Sequence, residues 1–222
     1  MAPYTLWIGN KNYSSWSLRG WLVCKLAGIA FDEVMVRLDE PDRWGRMRKF
    51  SPSGRVPTLK DGKAGTPVVI WDTIAIGEYL AERFPERTTW PAEANARATA
   101  RAVSAEMHSG FAALRNQLPM NMRRDKPPPK WDADAQQDID RVQEIWRDCR
   151  KAHGAGGPYL FGALTIADCF YAPVVSRFTS YRVPMDGVAS AYCEAMWEWT
   201  ALDAWREAAL KETWRIEKVE AI

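Results

Sequence analysis

Strand-forming patterns occur only in the first third of the chain, which limits the fold to a small α/β unit joined to a helical one. Thr5-Leu6-Trp7-Ile8 is a short apolar run that stops at the turn cluster Gly9-Asn10-Lys11-Asn12. From Trp16 the period changes. Leu18, Trp21, Leu22 and Leu26 form one helical stripe that ends at Gly28, a natural C-cap. Val34, Val36 and Leu38 then alternate with Met35 and Arg37 as a second strand. Strand, helix and strand in this order make a βαβ unit, so the two strands are parallel and the crossover right-handed. After a charged stretch from Asp39 to Lys49, Val56-Pro57-Thr58-Leu59-Lys60 and Pro67-Val68-Val69-Ile70-Trp71 flank the turn signals Asp61-Gly62 and Gly65. That composition is a β-hairpin. Asp72-Thr73 opens a helix with the stripe Ile76, Leu80 and Phe84, closed by Pro85.

Beyond Phe84 the spacing is helical throughout. Residues 1–84 are expected to form the α/β domain, 85–91 a polar, proline-flanked linker, and 92–222 an all-helical domain. Helices are expected from Ala92 to Leu118, Asp132 to Lys151, Thr165 to Phe178 and Ser190 to Lys211. Pro119 to Lys130, with Pro127-Pro128-Pro129, cannot be a helix interior.

Composition removes several classes of function. Lys and Arg number 30 against 28 Asp and Glu, so a charge-driven grip on nucleic acid is not expected. No apolar run approaches the roughly 18 residues of a membrane span. Cys24, Cys149, Cys169 and Cys193 are far apart and read as buried thiols of a reducing compartment. The first residues run straight into a strand pattern, so the cytoplasm is the expected location. The only histidines, His108 and His153, show no zinc spacing, and no metal is expected. Gly154, Gly156 and Gly157 follow a helix rather than a strand and read as a connection, not a phosphate loop.

Three features of the first domain point to chemistry. Asn12-Tyr13-Ser14-Ser15 stands where the first strand hands over to a helix. Small polar side chains there cap N–H groups, and the helix end favours an anion such as a thiolate. Val56-Pro57 opens a strand, and a cis bond would turn the Val56 N–H and C=O outward toward an extended ligand. Asp72-Thr73 begins a second helix, offering N–H donors, a hydroxyl and a carboxylate to a zwitterionic amino-acid head. Simple capping accounts for the first and third features equally well.

These features, in this order, resemble the glutathione S-transferase family. Ser51-Pro52-Ser53-Gly54-Arg55-Val56-Pro57-Thr58-Leu59 is similar to that family's N-P-x-x-(K/Q/R)-V-P-x-L segment. Trp71-Asp72-Thr73-Ile74-Ala75-Ile76-Gly77-Glu78-Tyr79-Leu80 is similar to its (E/Q)-S-x-A-I-x-x-Y-L signature, with Asp-Thr in place of the commoner Glu-Ser or Gln-Ser. Leu164-Thr165-Ile166-Ala167-Asp168-Cys169 resembles its S/T-x-x-D box, in which Thr165 and Asp168 satisfy each other's backbone donors. The resemblance implies a thioredoxin-like first domain, an all-α second domain, glutathione as cosubstrate and a homodimer.

Carried over by residue, Val56 would bind the cysteinyl backbone of glutathione beside Pro57, Asp72 and Thr73 its γ-glutamyl head, and Arg55 its glycyl carboxylate. Trp16-Ser17-Leu18-Arg19 aligns with a zeta-like S-S-C-x-W-x-x-R pattern that puts Asn12 at the first serine. The thiol-activating donor is then Asn12 or Ser14, nearly level, with Ser15 behind them. The electrophile would lie beside Met107, His108, Phe111 and Arg115. The expected function is conjugation of the glutathione thiolate to a small electrophile. The alternatives are a glutathione-dependent cis–trans isomerase of the maleylacetoacetate type and a non-catalytic glutathione-binding or interaction protein.

Overall fold

The computed structural model describes residues 2–63, 65–127 and 129–222, so Pro128 of the triproline lies outside the described residues. Strands β1 (Tyr4–Gly9) and β2 (Phe31–Val36) pair in parallel, Tyr4 opposite Phe31, with helix α1 (Ser15–Leu26) as the crossover. The second strand begins earlier and ends sooner than its Val34–Leu38 alternation suggests. A short α2 (Arg43–Arg48) follows, then the antiparallel hairpin of β3 (Thr58–Asp61) and β4 (Val68–Trp71). β3 also pairs antiparallel with β1, so the sheet order is β2-β1-β3-β4. Helix α3 (Thr73–Arg83) packs against α1. Leu6, Ile8 and Leu59 from the sheet meet Leu18, Leu22, Ile76 and Leu80 from these helices in one buried core. Gly20 lets α1 come close to the loop before β3: an added Cβ would stand 2.7 Å from Pro57 Cγ.

The second half contains α4 (Ala94–Ser109), α5 (Ala112–Gln117), α6 (Ala133–His153), α7 (Ile166–Ser180), α8 (Gly187–Glu198), α9 (Thr200–Lys211) and α10 (Glu217–Glu220). Two helices expected to be continuous are broken. The Ala92–Leu118 stripe stops at Gly110, and Phe111 turns the chain with a φ of 60° before α5 begins. The Ser190–Lys211 stripe divides at Trp199, whose backbone is extended. In both cases the apolar spacing continues across a change of direction, because both helices face the same core.

The segment 85–91 is no loose tether. It forms a 3₁₀ turn (Pro85–Arg87) followed by buried Thr89 and Trp90, and Thr89 O accepts from Ile166 N at 2.9 Å. The two halves also meet where α1 packs along α7. At the start of α7 a wholly buried carboxylate holds the turn together. Asp168 Oδ2 accepts from Thr165 N at 2.7 Å and Thr165 Oγ1 at 2.9 Å, while Oδ1 accepts from Leu160 N and Tyr192 Oη, both at 3.1 Å. All four cysteines are buried and unpaired. Among the described residues, no helix is long and apolar enough to cross a membrane.

Candidate functional site

A cleft of about 210 Å³ opens where the loop before β3, the start of α3 and the end of α4 converge. One wall is the Arg55-Val56-Pro57 loop, whose Val56–Pro57 peptide is cis. Neither the N–H nor the C=O of Val56 has a backbone partner among the described residues, because ladder pairing starts only at Thr58. A peptide group left open in this way is able to pair with another backbone. Arg55 projects from the same wall and is exposed.

The opposite wall is Asp72-Thr73. Asp72 holds a φ of 76° and ψ of 140°, a region that side chains other than glycine rarely adopt, and such strain concentrates at functional sites. Its Oδ1 caps α3 by accepting from Ile74 N at 2.9 Å. Thr73 is fully buried as the first residue of α3. His108, in the last turn of α4, reaches across to this pair. Its Nε2 lies 3.3 Å from Asp72 Oδ2 and its Nδ1 3.5 Å from Thr73 Oγ1. Burial lowers the imidazole pKa, and the guanidiniums of Arg19 and Arg115 add to that, while Asp72 opposes them. Of the residues expected beside the electrophile, His108 lines this cleft and stands against Asp72 and Thr73.

The other three residues assigned to the electrophile do not line this cleft. Met107 is fully buried and Phe111 nearly so, both in the core of the helical half. Arg115 turns back to donate to the carbonyls of Met107 and His108, closing the end of α4, and its guanidinium lies 5.2 Å from the Trp16 ring.

The three candidates for the thiol donor have different environments. Asn12 is wholly buried: its Nδ2 donates to Asn121 Oδ1 at 2.8 Å and its Oδ1 accepts from Arg123 N at 2.9 Å. Its backbone N and that of Lys11 both donate to the carboxylate of Glu212, at 3.0 and 2.6 Å. Both ends of the Asn12 amide are committed to fastening the loop after β1. Ser14 is the N-cap of α1, accepting from Ser17 N at 3.3 Å and donating to Ser17 Oγ at 2.7 Å. Ser15 is half-exposed, and its hydroxyl has no partner among the described residues. Asn12 and Ser14 are thus engaged inside the protein, while the Ser15 hydroxyl is left open among the described residues.

Ser15 directly precedes Trp16, which lines the cleft. Trp16 stands edge-on to His108 at 4.9 Å and lies 4.8 Å from the guanidinium of Arg19. Arg19 is wholly buried, with Nε donating to Phe170 O at 3.1 Å. Burial and the nearby Arg115 and Arg177 pull its pKa down, and among the described residues no carboxylate pairs with it directly. Cations grouped behind Trp16 make the near end of the cleft favourable to an anion. Trp16, Trp71 and Ser53 were not singled out from sequence as lining residues. Their signal is adjacency: Trp16 follows Ser15, Trp71 precedes Asp72, and Ser53 lies two residues before Arg55.

The basic loop from Pro119 to Lys130 is largely occupied elsewhere. Arg123 donates to Tyr13 Oη and to the carbonyls of Glu212 and Trp214, Arg124 to Ile222 O and Lys126 to Glu220 O. These cations fasten the C-terminal segment over the loop after β1.

The chain matches two family models, "Glutathione S-transferase, N-terminal domain" over residues 13–83 and "Glutathione S-transferase, C-terminal domain" over residues 92–208. It is 31% identical to a zeta-class glutathione S-transferase of Euphorbia esula, over 78% of this chain and 76% of that protein. It is 27% identical to a probable maleylacetoacetate isomerase of Caenorhabditis elegans, over 82% of this chain and 80% of that protein. Among solved structures it resembles a glutathione transferase homologue from Burkholderia GL BGR1 with bound glutathione. The TM-score is 0.68 at 23% identity, covering 96% of this chain and all of that one.

Proposed function

Because the chain belongs to the glutathione S-transferase family, we propose that it binds glutathione in the cleft between Val56-Pro57 and Asp72-Thr73 and turns its thiolate on a small electrophile. The observation that carries this reading is the pairing of an open Val56 peptide group with an amino-acid-head site across one cleft. Val56 N–H and C=O take the cysteinyl backbone. Asp72 takes the α-ammonium, Thr73 and the N-terminus of α3 the α-carboxylate, and Arg55 the glycyl carboxylate. The cysteinyl sulfur is then directed toward Ser15 and the start of α1.

There the Ser15 hydroxyl donates to the sulfur, while the helix end and the cations behind Trp16 favour the thiolate over the thiol. The thiolate forms a carbon–sulfur bond with the electrophile and the leaving group departs with its electron pair. Binding supplies proximity, and no covalent bond to the protein is required. The chain works as a homodimer in the cytoplasm.

A second reading is supported by the named relatives, which include zeta-class transferases and a probable maleylacetoacetate isomerase. In it the thiolate adds to a conjugated double bond, the resulting single bond rotates, and elimination restores the thiolate. Turnover of a maleyl diketo acid with glutathione regenerated favours isomerisation; stoichiometric consumption of glutathione favours conjugation.

The deciding experiment is a glutathione titration read by thiolate absorbance in the ultraviolet as pH is varied. Saturable binding with a thiol pKa well below its free value is expected. Binding without that shift would make the protein a carrier. Asp72→Ala removes a charged partner of the ammonium, so glutathione affinity should fall by about 10- to 100-fold, from about 1.5–3 kcal/mol per charged hydrogen bond. Calorimetry on the variant checks this, and unchanged affinity would remove Asp72 from the head-group site.

A further inference from the structure

We propose that His108 is a positioning residue for the γ-glutamyl head, holding Asp72 and Thr73 as a neutral imidazole, and that its protonation weakens glutathione binding. This rests on the cleft being the glutathione site. His108 comes from α4 in the helical half, yet its ring spans the two residues that open α3 in the α/β half. One arrangement of protons suits both contacts. Nε2–H points at the Asp72 carboxylate, and Nδ1, carrying a lone pair, accepts from the Thr73 hydroxyl. The edge contact with Trp16 at 4.9 Å and the Phe170 ring at 6.3 Å fix the plane of the imidazole.

A second proton changes both contacts. Nδ1–H no longer accepts from Thr73 but donates to its oxygen, so the hydroxyl hydrogen must turn away. The imidazolium also pairs with the Asp72 oxygen that the α-ammonium of glutathione needs, and one carboxylate must then serve two cations. The charges facing His108 are Asp72 at the cap of α3, Arg19 on α1 and Arg115 on α5. Two are cations, and burial also disfavours the charged ring, so the proton arrives below the ordinary imidazole value of 6.5. Above that range the ring is neutral and the pair is set for the ligand.

S-methylglutathione separates this effect from thiol ionisation, since its remaining groups do not titrate between about pH 4.5 and 6.5. Its affinity would be measured by calorimetry across that range for the parent protein and for His108→Gln and His108→Asn. The parent should lose about tenfold in affinity toward the acid end, as expected for a cation set close to the ligand's ammonium. Both variants should vary less than twofold. Thermal melts identify any variant that has lost its fold, in which case the other carries the comparison. A folded variant that keeps the parent's acid slope, or a parent with no slope, overturns the proposal. Absence of binding by the parent at every pH overturns the glutathione reading itself, and with it the role of His108.

Discussion

Ser15→Ala is expected to raise the pKa of bound glutathione toward its free value and to lower kcat/KM by about 10²- to 10³-fold, the usual loss when one donor to a developing anion is removed. Ser14→Ala should behave differently. Ser14 caps α1 and gives its hydrogen to Ser17, so its loss costs about 1 kcal/mol of stability and leaves the thiol pKa nearly in place. The comparison separates a group that touches sulfur from one that only holds the helix end. It is read by ultraviolet titration of bound thiolate beside steady-state kinetics with an aryl halide. A Ser15→Ala protein with the parent's thiol pKa would eliminate Ser15 as the donor. The backbone donors at the start of α1 would then be left to carry the charge.

Asp168→Ala should be the most damaging change to stability, about 3–5 kcal/mol, because four donors lose their common acceptor inside the core. In a chain of this size that is a fall of roughly 10 °C in Tm. The same residue sets a pH dependence of unusual sign. Burial raises the Asp168 pKa from 3.8 to about 6, against the pull of its hydrogen bonds. The folded state therefore holds a proton more tightly than the unfolded one. The proton-linked part of its contribution is fully present below about pH 4, declines between about 4 and 6, and is gone above, for a total of about 3 kcal/mol. Denaturant unfolding of the parent and Asp168→Asn at pH 4.5 and 7 tests this. The parent's stability relative to the variant should be greater at pH 4.5. Parallel behaviour of the two proteins would mean that Asp168 titrates at an ordinary value.

The sheet and the change from α/β to helical structure were legible because alternation and helical stripes are local patterns. The walls of the cleft were partly legible for the same reason: Val56-Pro57 and Asp72-Thr73 sit at strand and helix starts that the sequence marks. What escaped was set by distant partners. Asn12 looks like an available amide until Asn121 and Arg123, more than a hundred residues on, take both its ends. His108 looks like part of a helical wall until α4 is laid across the start of α3. The breaks at Phe111 and Trp199 escaped because a turn between two helices that share one core leaves the apolar spacing almost unchanged.

The carboxylate of Glu212 holds the loop that leads into α1, and this sets an order on the birth of the protein. The α/β half leaves the ribosome first, with its sheet-forming residues complete by Trp71. The loop after β1 still lacks its anchor, which is encoded 200 residues downstream of Asn12. At about 5–20 residues per second that interval is on the order of 10–40 s. Within it, once Val56-Pro57 and Asp72-Thr73 have been made, the nascent chain carries a partly finished cleft. Setting of that loop waits for the synthesis of Glu212, so a product truncated before it should retain its sheet and lack the set loop.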